Sequence, residues 1–116
     1  MTDFIYHITS RDSWSSAQKS GSYSAESLTN EGFIHCSKID QILCVASTIY
    51  PDQFGLVILV IDQSKLKSDV RWEAGTDKAD EKFPHIYGPL NLEAVVRTLN
   101  FEPGQNGIFS LPAELK

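Results

Sequence analysis

The apolar residues of the chain occur in short clusters whose spacing predicts several β-strands. The segments "DFIYHIT" (3–9) and "FIHCS" (33–37) combine apolar, aromatic and β-branched residues, as strands commonly do. The continuous apolar run "LVILVID" (56–62) predicts a central strand that is covered on both faces. The segment "VRWEA" (70–74) alternates, and "FPHIYG" (83–88) is expected to be extended because the residue before a proline avoids the helical region.

Helical spacing of apolar residues predicts helices between these strands. The helices are expected over residues 11–21, 24–32 and 39–50. Asp12 is the candidate N-cap of the first helix, and Gly21 and Gly32 are placed to end the first and the second. Ser37 is the candidate N-cap of the third helix.

The rest of the chain is less regular. Residues 63–69 form a connection, residues 75–82 a polar loop, and residues 89–101 fit a helix or a strand equally well. The order of strand, helices, strand, helix and then mostly strands predicts an α+β fold with its helices mostly in the N-terminal half. A length of 116 residues predicts a single domain over 1–116.

Charge and composition exclude some classes of function. The formal net charge of −5, with scattered Lys and Arg, argues against general nucleic-acid binding, which needs a concentrated basic face. The negative net charge is still compatible with a small pocket that binds a phosphate or a nucleotide. The longest apolar run has the length of a strand, and the N-terminus lacks a basic head before an apolar segment, so neither a membrane span nor a secretory signal is expected.

Cysteine usage predicts a cytoplasmic protein with free thiols. The chain has two cysteines, Cys36 and Cys44, without a C-x-x-C motif or a disulfide framework. Both cysteines are expected in the core, as are Trp14 and Trp72.

Three histidines lie near the ends of predicted strands, where clefts often form. His7, His35 and His85 each lie beside aromatic or β-branched residues and run out into small or polar ones. The pattern favours a shared pocket, although histidines that are hydrogen-bonded for structural reasons would show it too. Alternation along the strand turns Cys36 away from His35, which argues against a zinc site and against a cysteine nucleophile. No metal is therefore expected.

Other side chains complete a candidate site. Glu73, at the end of a predicted strand, is the candidate carboxylate, and Tyr23 and Tyr87 could stack on a ring. The motifs of phosphate loops, dinucleotide-binding folds and nucleophile elbows are absent from the sequence.

Three motifs make the chain resemble a known family. "IYHIT" (5–9), "EGFIHCS" (31–37) and "FPHIYGPLN" (83–91) are similar to those of small bacterial proteins called DUF952, a domain of unknown function. The resemblance covers residues 4–97 and implies a split, mixed β-sandwich of the ADP-ribosyltransferase-like type, with helices packed near the first strands.

The resemblance also implies roles for individual residues. "YHIT" (6–9) is similar to the first-strand motif of ADP-ribosyltransferases, in which the histidine holds a ribose hydroxyl of NAD. With the residues singled out above, the candidate catalytic residues are His7, His35, Glu73 and His85. The candidate ligand-binding residues are Thr9, Tyr23, Ser37 and Tyr87. NAD enters as a candidate substrate, and no resident cofactor is predicted.

The late motif departs from the transferase pattern, because His85 stands where a late glutamate is expected and Glu73 lies on an earlier strand. Three hypotheses stay open. The chain is an enzyme acting on NAD or an ADP-ribose-like nucleotide, a module that binds a nucleotide or small anion without chemistry, or a protein-interaction domain with structural histidines.

Overall fold

The structure is a computed structural model that describes residues 4–75 and 80–115. Its strands are β1 (Phe4–Ser10), β2 (Ser22–Tyr23), β3 (Ile34–His35), β4 (Leu56–Asp62), β5 (Asp69–Ala74), β6 (Lys82–Tyr87), β7 (Leu90–Asn91) and β8 (Val95–Phe101). Its helices are α1 (Arg11–Ser20), α2 (Glu26–Glu31) and α3 (Ile42–Ile49). Short 3₁₀ turns cover Ile39–Gln41, Gln63–Lys65, Leu92–Ala94 and Ala113–Leu115. The chain has the predicted α+β character, with its three described α-helices in the first half.

The central sheet has the order β1–β4–β8, and both of its pairings are antiparallel. Every residue of β4 is buried. The apolar run 56–62 forms the middle strand because both faces of the sheet are covered, as its pattern predicted.

A second sheet has the order β3–β6–β5, and β2 pairs with β7. All of these pairings are antiparallel too. The family resemblance had implied a mixed sheet, and this expectation is wrong for the part of the chain that the structure describes. Strands β5 and β6 are successive along the chain and pair antiparallel, as the two strands of a hairpin do.

Alternate residues of the central sheet feed two hydrophobic clusters. Ile5 of β1 packs in the first cluster, which also contains Trp14 of α1 and Ile86 of β6. Tyr6 points the other way, into a cluster with Ile42 of α3. The period of two along β1 therefore places His7 and Thr9 on the face that also carries α1 and the second sheet.

Two predicted helix caps are wrong, although the helices themselves are confirmed. Ser10, rather than Asp12, caps α1, since its hydroxyl accepts a 3.1 Å hydrogen bond from the Ser13 backbone N–H. Ser37 does not cap the third helical segment, because Lys38 is the residue that precedes its 3₁₀ turn. The backbone of Ser37 instead exchanges two hydrogen bonds with Tyr6. Gly21 ends α1 in the left-handed conformation, as predicted.

Other expectations about the core and the elements are corrected. Cys44 is exposed because it lies on the open side of α3, and Trp72 is 42% exposed because β5 is an edge strand. The ambiguous segment 89–101 contains the strand β8. The short strands β2 and β7 were not predicted, and residues 76–79 of the predicted polar loop lie outside the described residues.

Among the residues that the structure describes, no helix has both the length and the apolar character needed to cross a membrane.

Candidate functional site

A pocket of about 1070 Å³ opens between the first strand, the helices and the second sheet. Its lining includes all three histidines. Of the predicted site residues, the lining contains His7, Thr9, Tyr23, His35, Ser37 and His85. Glu73 and Tyr87 are not part of the lining and lie behind His85, to which Glu73 is hydrogen-bonded. The structure therefore brings the predicted residues together as a pocket wall with a supporting layer.

Strand pairing places His35 directly opposite His85. The two rings lie 5.3 Å apart, at an angle of 77°. On the other side of β6, Arg71 of β5 is the register partner of His85. The residues that alternate with these on the strands, Ile34 and Ile86, are buried in the core.

His7 is fully engaged inside the protein. Its Nδ1 lies 2.5 Å from the backbone carbonyl oxygen of His35, and its Nε2 lies 2.8 Å from the Tyr23 hydroxyl. A carbonyl only accepts, so Nδ1 carries the proton, and Nε2 accepts from Tyr23. Burial lowers the pKa of His7 from 6.5 to about 4, so the ring is neutral at physiological pH.

The Tyr23 hydroxyl continues this chain of hydrogen bonds to Thr9, whose Oγ1 lies 2.9 Å away. Tyr23 has a single hydroxyl proton, and it is used on His7, so Thr9 is the donor to Tyr23. Burial raises the pKa of Tyr23 to about 12. In this network His7 and Tyr23 are both neutral and each proton has a defined position. The hydrogen bonds also connect β1 to β2 and β3.

His85 has a different setting. Its Nδ1 lies 2.9 Å from Oε1 of Glu73, and the hydroxyl of Tyr87 donates to the same oxygen at 2.5 Å. The hydrogen bond from Tyr87 and then that from His85 lower the pKa of Glu73, which is therefore a carboxylate. Because a carboxylate only accepts, Nδ1 of neutral His85 carries the proton and Nε2 carries a lone pair.

Nε2 of His85 is buried and has no hydrogen-bond partner among the described residues. Phe33 stacks on the imidazole, with ring centroids 4.2 Å apart and planes 17° from parallel, and holds its orientation. A buried polar atom without a partner costs about 1–3 kcal/mol. Such an atom in a pocket wall is a position where a ligand or substrate group can gain a hydrogen bond.

His35 forms a second histidine–carboxylate pair. Its Nε2 lies 2.8 Å from Oε2 of Glu31, four residues earlier, and its side chain is partly exposed. The pocket therefore has one buried imidazole oriented by a carboxylate and one accessible imidazole next to it.

Sequence reasoning missed three residues of this site. Phe33 contacts both His35 and His85, Glu31 binds His35, and Arg71 places its guanidinium 4.5 Å from the ring centroid of Tyr87. Alternation could have found Phe33, which is two residues from His35 on the same strand segment. The positions of Glu31 and Arg71 depend on the turn of α2 and the register of β5.

Cys36 is buried in the core, as predicted, and burial raises the pKa of its thiol, which makes it a poor nucleophile. Within residues 4–75 and 80–115, no group of three or more His, Cys, Asp or Glu side chains is arranged to hold a metal ion.

Comparisons with known proteins support kinship over most of the chain. The model of the family described as "Protein of unknown function (DUF952)" matches residues 8–98. The crystal structure of protein CC0527 from Caulobacter crescentus is similar, with a TM-score of 0.85 and 32% identity over 97% of this chain and 98% of that chain. The solution NMR structure of CC0527 gives a TM-score of 0.77 and 32% identity over 90% of each chain. No curated protein matches the chain.

Proposed function

The chain belongs to the DUF952 family of proteins of unknown function, and we propose that its pocket binds the ribosyl part of a nucleotide-like molecule and acts on it by acid–base chemistry at His85. The observation that carries the proposal is the buried Nε2 of His85, which has no partner among the described residues. NAD and ADP-ribose are the candidate ligands, because the motif at 6–9 resembles that of the ADP-ribosyltransferase-like fold.

His85 has the arrangement of an oriented general base. Glu73 accepts the hydrogen bond from the Nδ1–H group of His85. The lone pair of Nε2 is therefore available to take a proton from a ligand hydroxyl or a bound water. The carboxylate also stabilises the imidazolium that results, as the carboxylate of a catalytic triad does. In this proposal Glu73 acts through His85 rather than on the ligand, and His35 is the second proton carrier at the pocket.

The size and the wall of the pocket support a ligand of this class. Small-molecule sites commonly enclose about 300–1000 Å³, and a volume of about 1070 Å³ is sufficient for a nucleotide. Seven of the described lining residues are serines between positions 10 and 27, which offer hydroxyls to a sugar. His7 could contact a ribose hydroxyl only by exchanging the Tyr23 hydroxyl for it at Nε2.

An NMR titration with NAD, ADP-ribose, nicotinamide and nicotinamide riboside tests the proposal. We expect saturable shifts of the ring signals of His7, His35 and His85, and release of nicotinamide from NAD. His85→Asn and Glu73→Gln should lower turnover by about 10²-fold or more, because they remove or misorient the base. Glu93→Gln, which changes an exposed carboxylate outside the pocket, is the matched control and should leave turnover intact.

Absence of shifts with every one of these ligands, the nucleoside included, at millimolar concentration would refute the proposal. Saturable binding without product, unchanged by Glu73→Gln, would instead support a binding module without chemistry. One observation favours a purely structural role for one histidine, since both ring nitrogens of His7 are already hydrogen-bonded within the protein. A protein-interaction domain would then show no small-molecule binding, and His7→Ala would lower its stability.

A further inference from the structure

The charges of the pocket wall narrow the ligand class. The described lining residues include four carboxylates, Glu26, Glu31, Asp40 and Glu81, but no Lys or Arg. We infer that the pocket selects a nucleoside, uncharged or cationic, over the phosphorylated forms of the same molecule. This inference rests on the proposed function and narrows its ligands: it favours the nucleoside parts of NAD and ADP-ribose over those two molecules themselves, whose diphosphate groups the wall disfavours.

Two of the carboxylates are anchored, one by a histidine and one by a buried glutamine. Glu31 lies 2.8 Å from Nε2 of His35, and Oε1 of Glu81 accepts a 3.0 Å hydrogen bond from Nε2 of Gln41. Gln41 is itself buried and also bonds to the Lys82 backbone carbonyl. Because these carboxylates are held in place, their negative potential acts on any ligand in the pocket.

The described wall offers little positive charge in compensation. Proteins bind phosphate groups through Arg, Lys or the free N–H groups of helix N-termini. His7 is neutral, since burial lowers its pKa to about 4. If His35 is protonated, Glu31 already balances its charge. The N-terminus of α1 is capped by Ser10 and carries Asp12 in its first turn. The N-terminus of α2, a helix of only six residues, has no side-chain cap but carries the carboxylate of Glu26 in its first turn.

The free nitrogen of His85 points to the same ligand class by an independent route. The side chain is only 4% exposed, and with Nδ1–H donated to Glu73 its Nε2 is an acceptor that needs a donor. A ribose hydroxyl or a base N–H group can donate to it. A phosphate that is fully ionised at neutral pH offers only acceptor oxygens. Charge and hydrogen-bond polarity therefore both disfavour phosphate at this end of the pocket.

Calorimetric titration of the full chain with two matched ligand pairs tests the inference. The pairs are adenosine with adenosine 5′-monophosphate, and nicotinamide riboside, a cation, with its 5′-phosphate. We expect each nucleoside to bind at least about tenfold more tightly than its phosphate at low salt. Added salt should weaken binding of the cation and narrow the difference within each pair, because it screens the carboxylates.

The double variant Glu31→Gln/Glu81→Gln should reduce the preference for the nucleoside, whereas Glu93→Gln should leave it unchanged. Phosphorylated ligands that bind the unmodified protein as tightly as their nucleosides would overturn the inference and leave the proposed function standing. If no member of either pair binds, the proposed function fails as well. The comparison within each pair decides the question even if the double variant does not fold.

Discussion

His7 is expected to make the stability of the protein depend on pH below neutrality. Burial lowers its pKa from 6.5 to about 4 in the folded state, whereas an unfolded chain keeps the ordinary value. Because the unfolded state binds the proton more readily, stability is fully present above pH 6.5 and falls as the pH drops toward 4. The shift corresponds to about 3 kcal/mol, of which about 2 kcal/mol is lost by pH 5.

The variant His7→Asn isolates this contribution. Its amide can still donate to the His35 carbonyl, but it does not titrate. We propose urea unfolding of both proteins at about pH 5, 6 and 7, where the other titrating groups are common to both and cancel in the difference. The stability advantage of the unmodified protein over the variant should shrink by about 2 kcal/mol between pH 7 and pH 5.

A matched control is His35→Gln, which keeps the backbone carbonyl that accepts from His7 and should keep most of the pH slope, because burial is the main cause of the lowered pKa of His7 and the charge of the His35 side chain only a lesser one. If the difference between the unmodified protein and His7→Asn is the same at about pH 5 and about pH 7, then burial does not hold His7 neutral. The assignment of its protons, and of the chain through Tyr23 to Thr9, would then be wrong.

Two further stability measurements test individual hydrogen bonds. Tyr23→Phe leaves two buried polar atoms without their partner, so thermal unfolding should show a loss of about 1–3 kcal/mol. Tyr50→Phe removes a hydroxyl with a long 3.4 Å hydrogen bond and should cost less; a greater loss in this control would contradict the network. Ser10→Ala removes the cap of α1 and should lower the free energy of unfolding in urea by about 1 kcal/mol. Asp12→Ala should cost clearly less, and equal losses would refute the cap assignment.

Most elements of the fold could be predicted because their signals are local. The run 56–62 became the central strand, and the helix over 11–21 ends at Gly21 as expected. The strands β2 and β7 escaped prediction since each has two residues, too few to show a period. Trp72 was wrongly placed in the core because sequence alone does not show which strand lies at a sheet edge.

The candidate site was predictable in its parts but not in its assembly. The three histidines stood out by their positions at strand ends, and all three line the pocket. The pairing of Glu73 with His85 was not predictable, because it depends on the register between β5 and β6. A slip of one residue would turn Glu73 to the opposite face of the sheet. The distinct states of His7 and His85 likewise follow from what surrounds each ring.

The sequence by itself determined the local elements, the family and the residue types near the pocket, because spacing and turn chemistry act over a few neighbouring residues. The tertiary structure alone decided which carboxylate meets which histidine and which nitrogen stays without a partner. Two of the deciding hydrogen bonds, from His85 to Glu73 and from His7 to His35, join residues 12 and 28 positions apart. Contacts over such separations exist only after strands have paired and packed. For this reason the roles of individual side chains could not be read from the sequence.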